Sequence, residues 1–433
     1  MKNLSRPAAG RGLPVLLAAV SAVALAAPAR ADVRLPKVFS DHMVLQRDAA
    51  VPVWGWADPG EEVTVAVAGQ TKKTTAGADG KWAVRLGKLE GAGPLTLTVK
   101  GKNERTVRDV LVGEVWLASG QSNMALTVKQ ARDFAKEKEA AHFPQIRMFT
   151  VARHPAREPQ ADCDGSWQVC SPETVGDFSA TAYFFGRDLH QKLNVPVGLI
   201  NSSYGGTPIE AWTSRGVMAK QPELKALLNL WAHKAAEYDP EEAKARYEEQ
   251  LAKWKEAAAR AKAEGKAPPR PPRKPVRPQD DPHAPAVLFN GMIAPLIPYA
   301  LRGAIWYQGE SNAGSEQSGK LYGVQLPLLV RDWRGRWGEG DFPFAWVQLP
   351  NFETQAKGWP FVREAMLHAL ALPNTGMAVA IDIGEAHDIH PKNKQEVGRR
   401  LALWVRAEGY GERLPWSGPL PAEHKVVGDR VEV

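Results

Sequence analysis

Apolar and polar residues alternate in short runs between residue 33 and about residue 108. The runs "AVPVWGW", "EEVTVAVAG", "KWAVRL" and "PLTLTVKG" are separated by turn sequences such as "DPG" and "ADG". A period of two places successive side chains on opposite faces of a strand, and turns at this spacing favour antiparallel pairing. The pattern predicts a small β-sandwich domain over residues 32–108.

From Val110 onward the pattern changes to unbroken apolar strands that alternate with helices. The strands are "VLVGEVWLAS", "VPVGLINSSYGG", "ALRGAIWYQGESN", "FPFAWVQLPNF" and "GMAVAIDIG", and the clearest helices are "TAYFFGRDLHQKL" and "NKQEVGRRLALWVRAEG". Strands of this kind are buried on both faces, which indicates a parallel sheet between layers of helices. We therefore predict an α/β domain over residues 109–410, with its site at the carboxyl ends of the strands.

Residues 220–288 interrupt this pattern. The first half contains a helical stripe formed by Tyr247, Leu251, Trp254 and Ala258, whereas "APPRPPRKPVRPQDDPHAP" is too rich in proline for a helix or a central strand. We expect a solvated helical insertion followed by a stiff linker. A basic arm that binds a partner is the less favoured interpretation of the same segment.

The first 31 residues have the order of a cleaved signal peptide, with basic residues, the apolar run "LPVLLAAVSAVALAA" and then "ARA". We expect export to the periplasm or the medium and a mature chain that begins near Asp32. Removing the four basic residues of this segment lowers the formal net charge from +7 to +3. So small a charge gives no reason to expect nucleic acid or a membrane as a partner.

Cys163 and Cys170 are the only two cysteines of the chain. In an oxidising compartment we expect a local disulfide between them, with two separate buried thiols as the alternative. Without a nearby histidine they cannot complete a tetrahedral zinc site, so no metal is expected.

Three tryptophans of the first domain, Trp54, Trp56 and Trp82, fall in its predicted strands. We expect them to be core aromatics. A carbohydrate-binding surface is the alternative.

Ser122, in "GQSNM", follows a buried strand and precedes a predicted helix. A serine in such a turn is usually a helix N-cap, and the sequence does not match the G-x-S-x-G elbow of the common α/β-hydrolases. The interpretation of Ser122 as a nucleophile therefore needs partners at other strand ends.

Five such partners follow later strands. His390 and Asp388 share an extended segment before the last helix, so the carboxylate can orient the imidazole while the imidazole acts as a base. Gly205 and Gly206 in "NSSYGGTPIEAW" and Asn312 in "WYQGESN" can supply N–H groups to an oxyanion. In combination these groups predict acyl transfer by a serine.

The segments "GQSNM", "SSYGGTPIEAW", "FNGMIAPLIPYALRGAIWYQGESN" and "DIHPKNKQEVGRRLA" together resemble the sialate O-acetylesterase family, a branch of the SGNH hydrolases. The resemblance implies a flavodoxin-like three-layer α/β/α catalytic domain that removes O-acetyl groups from sugars without a metal or other cofactor. It implies Ser122 as the nucleophile, His390 as the base, and an oxyanion hole formed by Ser122, Gly206 and Asn312.

Two features depart from the family pattern. The family usually has the motif D-x-x-H, but this chain has His387 in place of the aspartate, so the identity of the triad carboxylate is open. We expect Asp388 to be this carboxylate. Glu310 is the main alternative, and Asp382 and Glu385 are less favoured. The segment 411–433 ends in "HKVVGDRVEV", the start of a β-rich region, which predicts a truncated chain.

The sequence thus predicts an exported esterase acting on O-acetylated carbohydrate, with sialic acid implied only by the resemblance. An acetylxylan or other plant-polysaccharide esterase is the close alternative. A non-catalytic carbohydrate-binding protein on a hydrolase scaffold is the alternative from another class.

Overall fold

The computed structural model describes residues 32–91, 93–420 and 423–432, so the predicted signal peptide lies outside it. The strands are β1 Val44–Gln46, β2 Val51–Trp56, β3 Glu62–Val67, β4 Gln70–Thr75, β5 Lys81–Leu86, β6 Leu95–Lys100, β7 Glu104–Gly120, β8 Phe143–Thr150, β9 Trp167–Cys170, β10 Val197–Ser203, β11 Gly303–Tyr307, β12 Phe344–Val347, β13 Thr375–Ala378, β14 Lys425–Val427 and β15 Arg430–Glu432. The α-helices are α1 Ser122–Ala125, α2 Phe134–Glu139, α3 Ala180–Leu193, α4 Arg215–Met218, α5 Lys225–Ala236, α6 Pro240–Ala263, α7 Glu316–Trp337, α8 Trp359–His368 and α9 Lys394–Trp404.

The largest sheet has the strand order β13-β12-β11-β7-β10-β8-β9. Neighbouring strands from β13 to β8 are parallel, and only the edge strand β9 pairs antiparallel, with β8. The prediction of a parallel sheet within an α/β protein is confirmed, with the addition of this antiparallel edge.

Helices cover both faces of the sheet, and the alternation of side chains along its strands explains why. Leu117 and Trp306 belong to the core cluster that includes buried residues of α7 and α8. Their neighbours Trp116 and Tyr307 belong to the opposite cluster, with buried residues of α3 and α9. Because each face meets apolar helices, the residues of β7, β10 and β11 within the sheet are buried, and most of them are apolar.

Strand β7 runs through the expected domain boundary at residues 108 and 109. Its first part pairs antiparallel with β6, and its last part pairs in parallel with β10 and β11. Asp109 lies between the two parts with a left-handed φ of 54°, and its carboxylate accepts a hydrogen bond from Arg147 at 2.6 Å. The two regions are therefore joined by a continuous strand rather than by a linker.

The first region contains two antiparallel sets of strands. One is the pair β2 and β5, and the other has the order β4-β3-β6-β7. Trp82 is buried, and Trp54 packs edge-to-face on Phe39 with ring centroids 4.7 Å apart. Both therefore have the core role that we expected. Trp56 is half-buried, with the Arg34 guanidinium 5.6 Å from the centre of its ring.

The expected disulfide is wrong, because Cys163 and Cys170 are both free and buried thiols. Cys163 belongs to one core cluster and Cys170 to the other, on opposite faces of the sheet. A disulfide requires Cβ atoms about 4 Å apart, which this arrangement does not allow. Burial raises the pKa of each thiol to about 12, so both are inert at neutral pH.

The segment 220–288 is peripheral in its middle and buried at its ends. Helix α6 has no buried residue, and its predicted stripe is the half-buried side. Trp254 on that stripe donates its indole N–H to the Pro269 carbonyl oxygen at 2.8 Å, so the proline-rich linker packs back on the helix. By contrast Leu224 and Ala286 are buried against Met218.

Strands β14 and β15 form the hairpin that the C-terminal sequence predicts. Among the described residues of this hairpin, Val426 and Val431 are exposed. Elsewhere in the described part of the chain, no helix combines the length and the apolar character that a membrane span requires.

Candidate active site

Three polar turns leave the central sheet at the same level. Gly120, the last residue of β7, is in register with Ser203 of β10 on one side and with Tyr307 of β11 on the other. β7 is also the point where the strand order reverses, since the strands that follow it first, β8 to β10, lie on one side of it and the later strands, β11 to β13, lie on the other. Open α/β sheets bind their ligands at such a switch point.

The turn that carries Ser122 depends on a glycine. Gly120 has a φ of +138°, and a Cβ atom there would lie 2.1 Å from the Tyr307 carbonyl oxygen. The next N–H, that of Gln121, donates to the same oxygen at 2.9 Å. This close approach of two backbones ends the strand sharply, and Ser122 becomes the half-buried first residue of α1.

The glycine loop after β10 lies against the serine. A Cβ atom on Gly205 would be 3.4 Å from Ser122 Cβ, an ordinary van der Waals contact. Gly206 follows with a left-handed φ of +78°. The structure therefore brings the predicted nucleophile and the predicted glycine donors together.

Asn312 lies in a short 3-10 helix directly after β11, and its carboxamide is held on both ends. Its Oδ1 accepts hydrogen bonds from the Ile209 backbone N–H at 3.0 Å and from Gln308 Nε2 at 2.7 Å. Its Nδ2 donates to Glu210 Oε2 at 3.0 Å. An amide nitrogen carries two hydrogens, so Glu210 accounts for one of them.

Glu210 is a site residue that sequence reasoning missed. It is 8% exposed and also accepts a hydrogen bond from Gln325 at 3.0 Å. Burial raises the pKa of Glu210 above its usual range. The only sequence signal was its position in "TPIEAW", four residues after the glycine loop.

His390 and Asp388 form the expected pair in the loop before α9. Asp388 Oδ1 lies 3.5 Å from His390 Nδ1 and accepts the His390 backbone N–H at 2.9 Å. The hydrogen bond from Lys392 lowers the pKa of Asp388, which keeps it ionised. Partial burial lowers the pKa of His390, so the imidazole is neutral at neutral pH.

The other candidate carboxylates have different partners. Glu310 Oε1 accepts a hydrogen bond from Asn123 Nδ2 at 2.5 Å. Asp382 forms a two-pronged ion pair with Arg400 at 2.6 and 2.7 Å. Glu385 accepts the Lys392 backbone N–H at 2.8 Å.

A second Asp-x-His pair, Asp281 and His283, lies at the end of the segment 220–288. His283 Nδ1 is 2.5 Å from Asp281 Oδ1, and the His283 backbone N–H donates to the same oxygen at 2.8 Å. The hydrogen bond with Asp281 raises the pKa of His283, and a further bond to the Gly206 backbone acts in the same direction. This stretch belongs to the predicted linker, but it contacts the glycine loop.

The described residues form no cluster of metal ligands. Across residues 32–91, 93–420 and 423–432, no group of three or more His, Cys, Asp or Glu side chains is arranged to hold a metal ion.

The profile of a family described as carbohydrate esterase, sialic acid-specific acetylesterase, matches residues 112–265 and 289–406. These ranges contain the serine turn, the glycine loop, Asn312 and His390, so the class of this protein is a carbohydrate esterase. The sialate O-acetylesterase of Rattus norvegicus is 34% identical over 91% of this chain and 77% of its own length. The human sialate O-acetylesterase is 32% identical over 92% of this chain and 75% of its own length.

A solved structure gives the same result. A carbohydrate acetylesterase from Xanthomonas citri is 35% identical, with a TM-score of 0.76 over 92% of this chain and 80% of that one. The chain belongs to the sialic acid-specific acetylesterase family of carbohydrate esterases.

Proposed function

We propose that this protein is an exported serine esterase that removes O-acetyl groups from carbohydrate, with O-acetylated sialic acid as its preferred substrate. The observation that carries the proposal is the common level of the three turns, which puts Ser122 beside Gly205 and between β10 and β11. The flavodoxin-like strand order β10-β7-β11-β12-β13 supports an SGNH-type three-layer catalytic domain preceded by a β-sandwich.

In the acylation step, Ser122 Oγ attacks the acetyl carbonyl carbon while His390 Nε2 takes the hydroxyl proton. His390 is suited to this role because partial burial lowers its pKa and Asp388 lies at its other ring nitrogen. Collapse of the tetrahedral intermediate breaks the bond to the sugar oxygen, which leaves with the proton from His390. The acetyl group remains on Ser122.

Deacylation uses the same groups. A water molecule attacks the acetyl carbon while His390 takes one of its protons, and collapse of the second intermediate returns that proton to Ser122 Oγ. Acetate leaves, and the enzyme is restored.

The negative charge in both intermediates is held by the N–H groups of Ser122 and Gly206 and by the Asn312 amide. Glu210, Gln308 and the Ile209 N–H fix which end of that amide carries the nitrogen. A donor held in place before the reaction needs no reorganisation when the charge develops, which is the usual source of such stabilisation.

The substrate class follows from the family and from the relatives named as sialate O-acetylesterases. Measuring acetate release from O-acetylated sialic acid, acetylated xylan and a simple aryl acetate would test it. Release from the sialic acid at the highest kcat/KM supports the proposal, and a clear preference for xylan would move the substrate to plant polysaccharide.

The serine mechanism is tested by Ser122→Ala, which should abolish acetate release and leave the melting temperature unchanged. Ser119→Ala is the matched control, because Ser119 is a buried serine near the end of β7, three positions before Ser122, and its hydroxyl has no hydrogen-bond partner in the described structure. Turnover in Ser122→Ala equal to that of the control would eliminate the mechanism. Binding of glycan without acetate release by the wild type would favour a non-catalytic scaffold.

A further inference from the structure

A buried chain of three polar side chains lies next to the turn of Ser122 and the loop of His390. Asn123 Nδ2 donates to Glu310 Oε1 at 2.5 Å, and Asn123 Oδ1 accepts from Lys394 Nζ at 2.6 Å. Asn123 and Lys394 are both 0% exposed. The second oxygen of Glu310 is buried and has no hydrogen-bond partner within the described structure.

Asn123 connects the two halves of the proposed catalytic machinery. It follows Ser122 in the chain, and its Nδ2 also donates to the Ile389 carbonyl oxygen at 3.0 Å. Ile389 precedes His390. One amide therefore ties the turn that carries the nucleophile to the loop that carries the base, although the two are 266 positions apart in sequence.

The partners of Asn123 determine the orientation of its amide. A lysine ammonium can only donate, so the amide oxygen must face Lys394. An ionised carboxylate and a backbone carbonyl can only accept, so the amide nitrogen must face Glu310 and Ile389. All three contacts specify the same orientation, and Lys394 supplies the donor that holds the amide oxygen.

A fully buried lysine is costly unless charges and dipoles compensate it. Burial lowers the pKa of Lys394 to about 7, with Lys392 acting in the same direction and Glu310, Glu385 and Asp388 opposing it. The face of the Tyr307 ring lies 4.8 Å from Nζ and adds a cation–π contact. Burial also raises the pKa of Glu310. The fold retains both groups despite this cost, which points to a role beyond packing.

We propose that Lys394, acting through Asn123 with Glu310 as its counter-charge, is a positioning residue that holds the Ser122 turn against the His390 loop. The inference rests on the proposed serine mechanism and adds to it a group that does not touch the substrate. It also assigns Glu310 a place in this chain rather than in the triad.

Lys394 acts on His390 through its charge as well. Its positive charge lowers the pKa of the imidazole, as does that of Lys392, while Asp388 raises it. Removing the charge of Lys394 should therefore raise the pKa of His390. Because the base must be neutral to accept a proton, the acid limb of the kcat/KM profile should move to higher pH.

The test uses Lys394→Met, which keeps the length of the side chain but cannot donate to Asn123. We expect kcat on an O-acetylated substrate to fall by about 10- to 100-fold, since a displacement of about 1 Å in a reacting group has an effect of that size. KM should stay within about twofold, because no substrate contact is lost, and the acid limb should shift upward.

A matched control is Glu114→Gln. Glu114 is a fully buried carboxylate on β7, the strand that leads to the proposed nucleophile, and it pairs with Arg302 at 2.6 Å and with Arg47. This change should lower the melting temperature and leave both kcat and the acid limb unchanged in the folded protein. A kcat loss equal to that of Lys394→Met would mean that any buried charge defect reduces activity, and it would overturn the assignment.

Three further variants keep the inference testable if Lys394→Met does not fold. Glu310→Gln retains an oxygen that can accept from Asn123 and should keep kcat within about threefold, whereas Glu310→Ala should lose about tenfold or more. The double variant Lys394→Met/Glu310→Gln removes both buried charges, which favours folding, but still lacks the lysine donor and should have low kcat.

The outcomes separate this inference from the proposed function. If Ser122→Ala retains turnover, the serine mechanism fails whatever Lys394→Met shows. If Ser122→Ala is inactive while folded Lys394→Met, or the folded double variant, keeps kcat within twofold and an unmoved acid limb, only the positioning role of Lys394 is refuted.

Discussion

Replacing Asp388 with asparagine tests which carboxylate orients His390, the proposed catalytic base. The substitution is nearly isosteric, and its Oδ1 can still accept the His390 backbone N–H, so the loop should keep its shape. What is lost is the negative charge 3.5 Å from His390 Nδ1, together with the ion pair to Lys392. The expected defect is therefore in kcat, with little change in the melting temperature.

The size of the defect follows from the exposure of the pair. In a well-studied protease triad with a buried aspartate, the amide substitution costs about 10⁴ in kcat. Here the side chains of His390 and Asp388 are 37% and 39% exposed, and solvent weakens the interaction of exposed charges. We expect a loss of about 10²-fold.

The assay compares kcat for acetate release by Asp388→Asn and by Glu310→Gln. Glu310 Oε1 is bonded to Asn123 rather than to the imidazole, so Glu310→Gln should cost less than Asp388→Asn. A larger loss for Glu310→Gln would refute the assignment of Asp388. Losses below about fivefold for both would mean that Ser122 and His390 work as a dyad.

Three other predictions follow from the same geometry. Asn312→Ala should lower kcat by about 10² to 10³, as the loss of one oxyanion donor does, and an effect on KM alone would instead mark Asn312 as a substrate ligand. The midpoint of the acid limb in the pH profile of kcat/KM should lie below the ordinary histidine pKa of about 6.5, because burial lowers the pKa of His390 and its neutral form persists to lower pH. A midpoint above about pH 7 would contradict this. Replacing residues 238–277 with a short linker should leave fold and activity intact. A deletion that extends through His283 should instead lower kcat, because His283 hydrogen-bonds the Gly206 backbone. Equal activity of the two deletion variants would show that this contact has no role.

The positions of the turns could be predicted because each depends on a local pattern. An apolar strand that ends in a polar turn is readable within about ten residues, and the parallel sheet then aligns the ends of its strands. Ser122, Gly206 and Asn312 were found in this way. The pairing of Asp388 with His390 is equally local, since the two residues are two positions apart.

The contacts that support these turns could not be predicted because they join distant parts of the chain. Lys394 is 271 positions from Asn123, and Glu210 is 102 positions from Asn312. A lysine at the start of a helix is ordinarily solvated, so nothing in the sequence indicates that this one is buried. His283 was overlooked because the proline content around it is typical of a linker.

The cysteines show a limit of a different kind. Compartment and spacing favoured a disulfide, but pairing depends on which face of the sheet each side chain occupies. In β9, Trp167 and Cys170 are three positions apart and therefore point to opposite faces, while Cys163 packs on the same side as Trp167. Whether the two thiols can pair is therefore decided by the face of the sheet that each one occupies.

Two asparagines at this site are held by the same arrangement. Asn312 donates to the buried Glu210 and Asn123 donates to the buried Glu310, while other donors occupy each amide oxygen. When it is ionised, a carboxylate accepts but does not donate, so it holds the amide nitrogen toward itself and leaves the second hydrogen of that nitrogen to reach a substrate or a loop. A neutral hydroxyl in place of either glutamate could both donate and accept, and would permit the flipped amide. The cost of burying two carboxylates is therefore explained if each one fixes the direction in which an N–H of the proposed machinery points, with Lys394 providing the compensating charge for Glu310.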